Sequence, residues 1–398
     1  MDFNWAVSWN RATLRLMGIW PIDQKNGSRY SRVRVPFMIL VIFFGLFVPQ
    51  CHALTLVVYH LPLVIDNFMT TSPAMVSCMK LYFIWRQTKV LRPVLKSMSR
   101  DWVGAKRDWE HEIMRSAAEK GRLVTIVDYI VMAVCYCGFV VAPLIGFDLR
   151  LINGITDYGA RTLLVQSYYP FDYSATPTFE LAYTLQFLGS FFVGLAVSVL
   201  DDYYVALLYH ASAQFQILGI DIQHLLRDGA KDIGDFDRRL RTSIDRHVHL
   251  IGIVSAIEKA FGFVIAAQIF CMSTMICCLG FQILGILDVA DNKPTALQII
   301  TLTGTLVTMM LHTLVHCLTS EILAFRSADI FYKIYCSEWY TLPWRKRRYL
   351  VPMMLVSSVT RQIKAGYILR MSLVTYCGII KSTAGYISVL IAASKRGR

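Results

Sequence analysis

His312 and His316 stand four residues apart, which on a helix puts both imidazoles on one face at the spacing of two zinc ligands. No HExxH sequence accompanies them, and no third ligand or supporting carboxylate sits beside them in the chain, so they read as packed or pore-adjacent histidines and no metal is expected. His247 and His249 alternate within a charged segment and read as solvated. Ser, His and Asp residues occur without a GxSxG turn, and there is neither a Walker phosphate loop nor a glycine-rich dinucleotide fingerprint. The chain therefore offers no recognisable acyl-, phosphoryl- or hydride-transfer machinery, and neither enzyme activity nor a cofactor is expected.

The last apolar stretch is more informative. It begins "MSLVTYCGIIKSTAGYISVLIAASKRGR" at Met371 and carries Lys381, Ser382, Thr383, Gly385 and Ser388 within a segment long enough to cross a bilayer. An ammonium and several hydroxyls are costly against hydrocarbon, so this face is expected to meet something other than lipid. Ser382, Tyr386, Val389 and Ala393 recur as i, i+4, i+7 and i+11 and form a single stripe.

The elements that hold these residues follow from composition. The chain is 55% hydrophobic and only 17% charged, with mean hydropathy +0.47, which describes an all-α polytopic membrane protein. A spanning helix needs roughly 20 apolar residues. Seven stretches qualify, at about 36–59, 63–85, 123–147, 179–205, 259–287, 296–318 and 372–393, and they make one membrane domain. The second is the weakest, interrupted by Pro62, Asp66 and Pro73.

Net charge +13 raises the question of nucleic acid, but the basic residues form no aromatic-interleaved patch and follow the topology instead. Of 40 Lys and Arg, 31 lie in the alternate segments 1–35, 86–122, 201–250 and 319–371. By the positive-inside rule those segments and the N-terminus are cytoplasmic, and seven crossings leave the C-terminus outside. Residues 1–35 lack the compact apolar core of a cleavable signal, so the first span is expected to direct insertion. The sequon at Asn26 falls on the cytoplasmic side and is expected to stay unused. Nine of the ten cysteines lie in spans and none in an outer loop, which speaks for buried small hydrophobes rather than an extracellular disulfide.

Segment 86–122 alternates charge sign and reads as a helical extension of its flanking spans, and a similar extension is expected for 201–250. Trp102 and Trp109, seven apart, mark the first as a candidate contact face.

From Cys317 onward the chain reads "CLTSEILAFRSADIFYKIYCSEWYTLP", then "WRKRRYLVPMML", then "RQIKAGYILRMSLVTYCGIIKSTAGYISVL". This resembles the C-terminal signature of insect odorant receptors. Cys317, Glu321, Ser327, Tyr335, Trp339, Tyr340 and Pro343 fit its first part; Arg345 to Arg348 fit its basic cluster. Lys364-Ala365-Gly366 and Met371-Ser372-Leu373 with Thr375-Tyr376 follow in order, and "LRLMGIWP" from Leu14 to Pro21 is similar to the family's opening element. In the last span Lys381, Ser382 and Tyr386 match, while Ala384 and Gly385 replace the usual Tyr and Ser. No Gln-Phe follows Thr375-Tyr376, which favours the odorant over the gustatory branch.

The resemblance implies a non-selective cation channel of four subunits gated by an odorant, each subunit giving its final helix to a central pore. It implies a tuning subunit partnered by a shared odorant co-receptor in the plasma membrane of olfactory sensory neurons. Val389 then aligns with the hydrophobic gate and Ala393 lies one turn further out, with Ser382 and Tyr386 on the same pore stripe. The cytoplasmic segment 319–370 becomes the inter-subunit anchor, with Trp339 and Arg345 as contacts. The family's odorant pocket lies in the outer half among spans two, three, four and six. Helical spacing gives Thr71 and Met75 on span two, Tyr136, Phe139 and Pro143 on span three, Tyr183 and Phe187 on span four, and Thr305 and Met309 on span six. Such a lining suits a small, neutral, mainly apolar volatile. Three other classes are weighed beside it: a homomeric gustatory-type channel, a G-protein-coupled receptor with its termini on the opposite sides, and a transporter, against which stands the lack of paired broken repeats.

Overall fold

Apolar stretches of this length can satisfy their backbone polar groups in lipid only as helices or closed barrels, and here they are helices. The computed structural model describes residues 3–22, 29–104, 107–144, 163–173, 175–228, 233–288 and 296–396. Two short helices, α1 (Phe3–Ala6) and α2 (Ser8–Met17), precede the bundle. The first pass is α3 (Arg29–Ile42), a π-helical segment Phe43–Phe47 and α4 (Val48–Val57). Long helices follow: α5 (Leu61–Val103), α6 (Asp108–Leu144), α7 (Thr178–Asp228), α8 (Ile233–Asp288) and α9 (Ala296–Tyr335). Then come α10 (Trp344–Ser357), a hairpin of β1 (Lys364–Ala365) and β2 (Leu369–Arg370), and α11 (Leu373–Arg396). Helices α6 to α9 and the stretch Val33–Val57 are each long and apolar enough to cross a membrane; α5 and α11 pack against them.

The prolines expected to interrupt the second span do not. Pro62 occupies the first turn of α5, where its missing N–H has no intrahelical partner to lose, and Pro73 and Pro93 sit inside an unbroken 43-residue helix. Every long helix runs well past its apolar stretch at the end of the bundle that carries α10. There α7 packs against α5, α6, α8 and α9 around a continuous core including Leu207, Phe215, Leu225, Phe236, Leu250 and Ile334. Trp102 is part of this core rather than an exposed contact, and a break after Val103 separates it from Trp109, which lies edge-on to His224 at 5.9 Å. His247 is buried as well, against Phe215, contrary to the solvated reading; His249 Nε2 lies 2.7 Å from Ser97 Oγ.

Several signature residues turn out to be structural. Gly18 adopts φ 79° and closes α2 with N–H bonds to Leu14 and Arg15 carbonyls, seating Leu14, Met17, Ile19 and Trp20 in the core. Gly366 at φ 59° makes the hairpin turn, and its N–H donates to the Gly262 carbonyl of α8 at 2.8 Å. Ser372 caps α11 by accepting from the Thr375 N–H at 3.2 Å, and Glu321 of α9 accepts from the Leu373 N–H at 3.3 Å. The base of α11 is thereby fixed to both α8 and α9. Residues 23–28, including Asn26, lie outside those described.

Candidate ligand cavity and its ionic floor

At the opposite end the helices splay. Between α5, α6, α7, α8 and α9 lies a cavity of about 380 Å³, toward the small end of the roughly 300–1,000 Å³ typical of small-molecule pockets. Its walls are Val76, Val131, Met132, Tyr136, Phe139, Val193, Met272, Met275 and Met309 with neighbouring cysteines. Methionines fill irregular space and rewrap around different shapes, so such walls tolerate more than one apolar occupant.

Of the residues expected in a pocket, Tyr136, Phe139, Thr305 and Met309 line this cavity. The others are elsewhere. Thr71 donates to Asn67 Oδ1 at 2.9 Å, and Asn67 donates to the Gln50 carbonyl of α4, so this polar patch joins α4 to α5. Met75 is exposed on α5. Tyr183 stacks on Phe179 at 6.0 Å, and Phe187 backs Tyr136 from outside at 5.8 Å, its carbonyl accepting the Tyr136 hydroxyl at 2.9 Å. The side chain of Pro143 lies outside those described. Span five was not expected to contribute, yet α8 supplies Gln268, Cys271, Met272 and Met275. Helical spacing identified inward faces but not which of two inward directions each face takes.

The cavity floor is ionic. Lys80, 1% exposed, places its ammonium 2.7 and 2.6 Å from the two oxygens of Asp201, 6% exposed. Gln268 donates to Asp201 Oδ2 at 2.8 Å, and His312 Nε2 lies 3.1 Å from the same oxygen. His316 Nε2 is 3.6 Å away, beyond hydrogen-bond distance. Lys80, Asp128, Gln268 and His312 all border the cavity. Beneath them a second space of about 320 Å³ is lined by Asp128, Asp201, Asp202, His312 and His316 among apolar neighbours.

No third partner stands near the two histidines along the chain; the fold brings one from α7, 111 positions from His312. The ligand atoms of Asp201, His312 and His316 lie within 4.8 Å of one another. Lys80 already places a cation on that carboxylate, which makes the arrangement self-consistent as an ion pair with histidine support. A sequence signal for this cluster existed: ionisable residues inside a predicted span are costly and mark sites.

α11 packs on α8 and α9. Tyr376 and Ile379 face the core and Thr383 is buried, whereas Ser382, Tyr386 and Val389 are exposed, the last two by 64% and 65%. The polar stripe thus lies on the face that this chain's own helices leave uncovered; the side chain of Ala393 lies outside those described. Trp339 packs against the core near α10, and Arg345 is exposed on α10.

A family model described as 7tm Odorant receptor matches residues 60–384. The chain belongs to this family. The receptor's fold is that of solved relatives: the insect olfactory receptor OR5 from Machilis hrabei in complex with eugenol is similar with a TM-score of 0.84 at 16% identity, over 99% of this chain and 100% of that one. A second structure of OR5 from Machilis hrabei is similar with a TM-score of 0.80, again at 16% identity, over 96% of this chain and 97% of that one. No curated protein matches. The receptor is an all-α, multi-pass membrane protein of a receptor family, not of an enzyme family.

Proposed function

We propose that this receptor is the odorant-binding subunit of an odorant-gated, non-selective cation channel assembled with a shared co-receptor in the plasma membrane of olfactory sensory neurons. The observation that carries this reading is the juxtaposition of a methionine- and aromatic-walled cavity with a terminal helix whose Ser382, Tyr386 and Val389 are exposed among the described residues. The relative from Machilis hrabei supports it, since that olfactory receptor is described in complex with eugenol, a small aromatic volatile.

In this reading α3–α4, α5 to α9 and α11 are seven crossings with a cytoplasmic N-terminus and an outer C-terminus. The α10 end is then cytoplasmic and holds the subunits together through 319–370, Trp339 and Arg345 included. Thr71, Met75, Pro143, Tyr183 and Phe187 shape the bundle around the pocket, while Tyr136, Phe139, Thr305 and Met309 touch the odorant. Ser382, Tyr386, Val389 and Ala393 line the pore, and Val389 closes it by dewetting. The odorant binds the open arrangement more tightly than the closed one and shifts α11 by no more than that differential affinity. Replacing Val389 by Ala widens the constriction and raises basal current; identical basal current and permeation would remove Val389 from the gate.

Whole-cell current is the test, with the receptor expressed alone and with an insect odorant co-receptor under a volatile panel and G-protein block. Rapid cation current from the pair alone is the expected result. Current from the receptor by itself would replace the heteromer with a homomeric gustatory-type channel, and loss of response under the block would replace the channel.

A further inference from the structure

We infer that the ligand of this cavity carries a hydrogen-bond donor, an O–H or N–H group, and that Asp128, Gln268 and His312 receive it. The inference rests on the odorant-binding reading of the cavity and narrows its ligand to alcohols, phenols and amines.

The side chains around the cavity divide unequally between donors and acceptors. The donors are mostly committed. Lys80 holds both oxygens of Asp201, and Gln268 Nε2 donates to Asp201 Oδ2. On the walls Tyr136 donates to the Phe187 carbonyl, Ser190 to that of Gln186, Thr305 to Thr301 and Thr308 to Gly304, each at 2.8 or 2.9 Å. Ser198 is the one lining hydroxyl without a described bond.

The unpartnered atoms of the lining are of the other kind. Asp128 Oδ2, Gln268 Oε1 and His312 Nδ1 are buried with no hydrogen-bond partner. A carboxylate oxygen and an amide oxygen only accept. For His312, Nε2 faces the Asp201 carboxylate at 3.1 Å and so carries a hydrogen, and in the singly protonated ring this leaves Nδ1 with a lone pair. Asp128 also lies within electrostatic reach of Lys80, whose ammonium is already paired with Asp201.

Buried acceptors without partners are costly, and a ligand that donates to one recovers that cost on binding. A hydrocarbon recovers nothing. An ether, ester, aldehyde or ketone brings one more acceptor to a floor already rich in them, and cannot replace a water that donates there. A site that offers hydrogen-bond partners to one group discriminates strongly against the analogue lacking it, whereas apolar walls discriminate weakly. The apolar walls thus set the size of the ligand, and the floor sets its functional group.

The experiment uses the full receptor with a co-receptor and compares matched probes: 1-hexanol and hexylamine against 1-methoxyhexane, and 2-phenylethanol against its methyl ether. The donor-bearing member should activate at concentrations about ten- to a hundredfold lower than its ether, the range of one hydrogen bond to a buried acceptor. Gln268→Met and Asp128→Leu, which remove the acceptors while keeping a side chain of similar shape, should narrow that ratio. Met309→Ala, a change to the apolar wall, should shift both members of each pair together and keep the ratio. Equal potency of alcohol and ether in the unaltered receptor, a comparison independent of how any variant folds, overturns the donor inference and leaves the cavity as the odorant site. Potencies that no cavity substitution changes, Met309→Ala included, overturn the cavity reading itself.

Discussion

From Ala196 to Leu218, α7 is almost wholly buried among α5, α6, α8 and α9, whereas from Thr178 to Val193 the same helix exposes Leu181, Phe187 and Leu188 and borders a cavity. α6 behaves alike, with Met114 in the core and Ile130 and Val134 exposed. The difference follows from the solvent each end meets in the proposed topology. In water, burying apolar surface contributes roughly 25 cal/mol per Å², which draws the apolar faces of the helices together; the space of about 600 Å³ left at this end, between α6, α7 and α9, is bordered by Glu112, Lys120, His224 and Arg326. In lipid an exposed Leu loses little, helix association depends on packing and hydrogen bonds, and a gap is tolerated. A ligand site at the lipid end thus costs the fold less than one of equal size at the α10 end would. The ionic floor marks the boundary between the two regimes.

The strongest way to break this comparison is to break the boundary. Lys80→Met leaves Asp201 buried without its cation and should destabilise by about 3–5 kcal/mol. Thermal unfolding of the purified receptor should show a large drop, partly restored in Lys80→Met with Asp201→Leu. An unchanged transition would mean that the ion pair does not join the two ends.

Next comes a direct contrast between them. Phe215→Ala, at a fully buried position of the α10 end, should cost about 3–5 kcal/mol. Met309→Ala, beside an existing void, should cost about 1 kcal/mol, below the usual core range. Equal losses in the same unfolding assay would show that the cavity end is as tightly determined as the other.

Last comes a pH dependence at the α10 end. Burial pushes the His247 imidazole down to about 4, and the charge of Arg361 adds to this. The unfolded chain protonates His247 near 6.5, so its contribution is complete above that pH and is lost as pH falls toward 4. Unfolding temperature should decline over this window, and His247→Gln should flatten part of the decline. A decline identical in both proteins would assign it to other groups.

How much of this was legible in the chain differs between fold and site. The seven apolar stretches foretold the long helices because helical passes through lipid leave a local signal of length and composition. The extension of α5 was legible from alternating charge. Pro73 misled, since it is absorbed, like Pro93, by a packed helix. At the site, helical spacing selected Tyr136, Phe139, Thr305 and Met309, which line the cavity, but also Tyr183, which stacks on Phe179 of its own helix, and Thr71, which bonds Asn67 of its own helix. The ionic floor is assembled from five helices, so no window of sequence contains it, and averaging hydropathy over a span hides single residues such as Lys80, Asp128 and Asp201.

The central claim is that the cavity end receives the odorant, and Phe139 tests it most directly because it lines the cavity while Tyr183, one of the other expected residues, does not. The measurement is the dose–response of current for Phe139→Ala and Tyr183→Ala beside the unaltered receptor, each with co-receptor and matched surface delivery. The expected result is a rightward shift of about tenfold for Phe139→Ala, corresponding to roughly 1.4 kcal/mol of lost contact, with near-normal sensitivity for Tyr183→Ala. An unshifted Phe139→Ala curve alongside a shifted Tyr183→Ala curve would place the odorant elsewhere and contradict the claim.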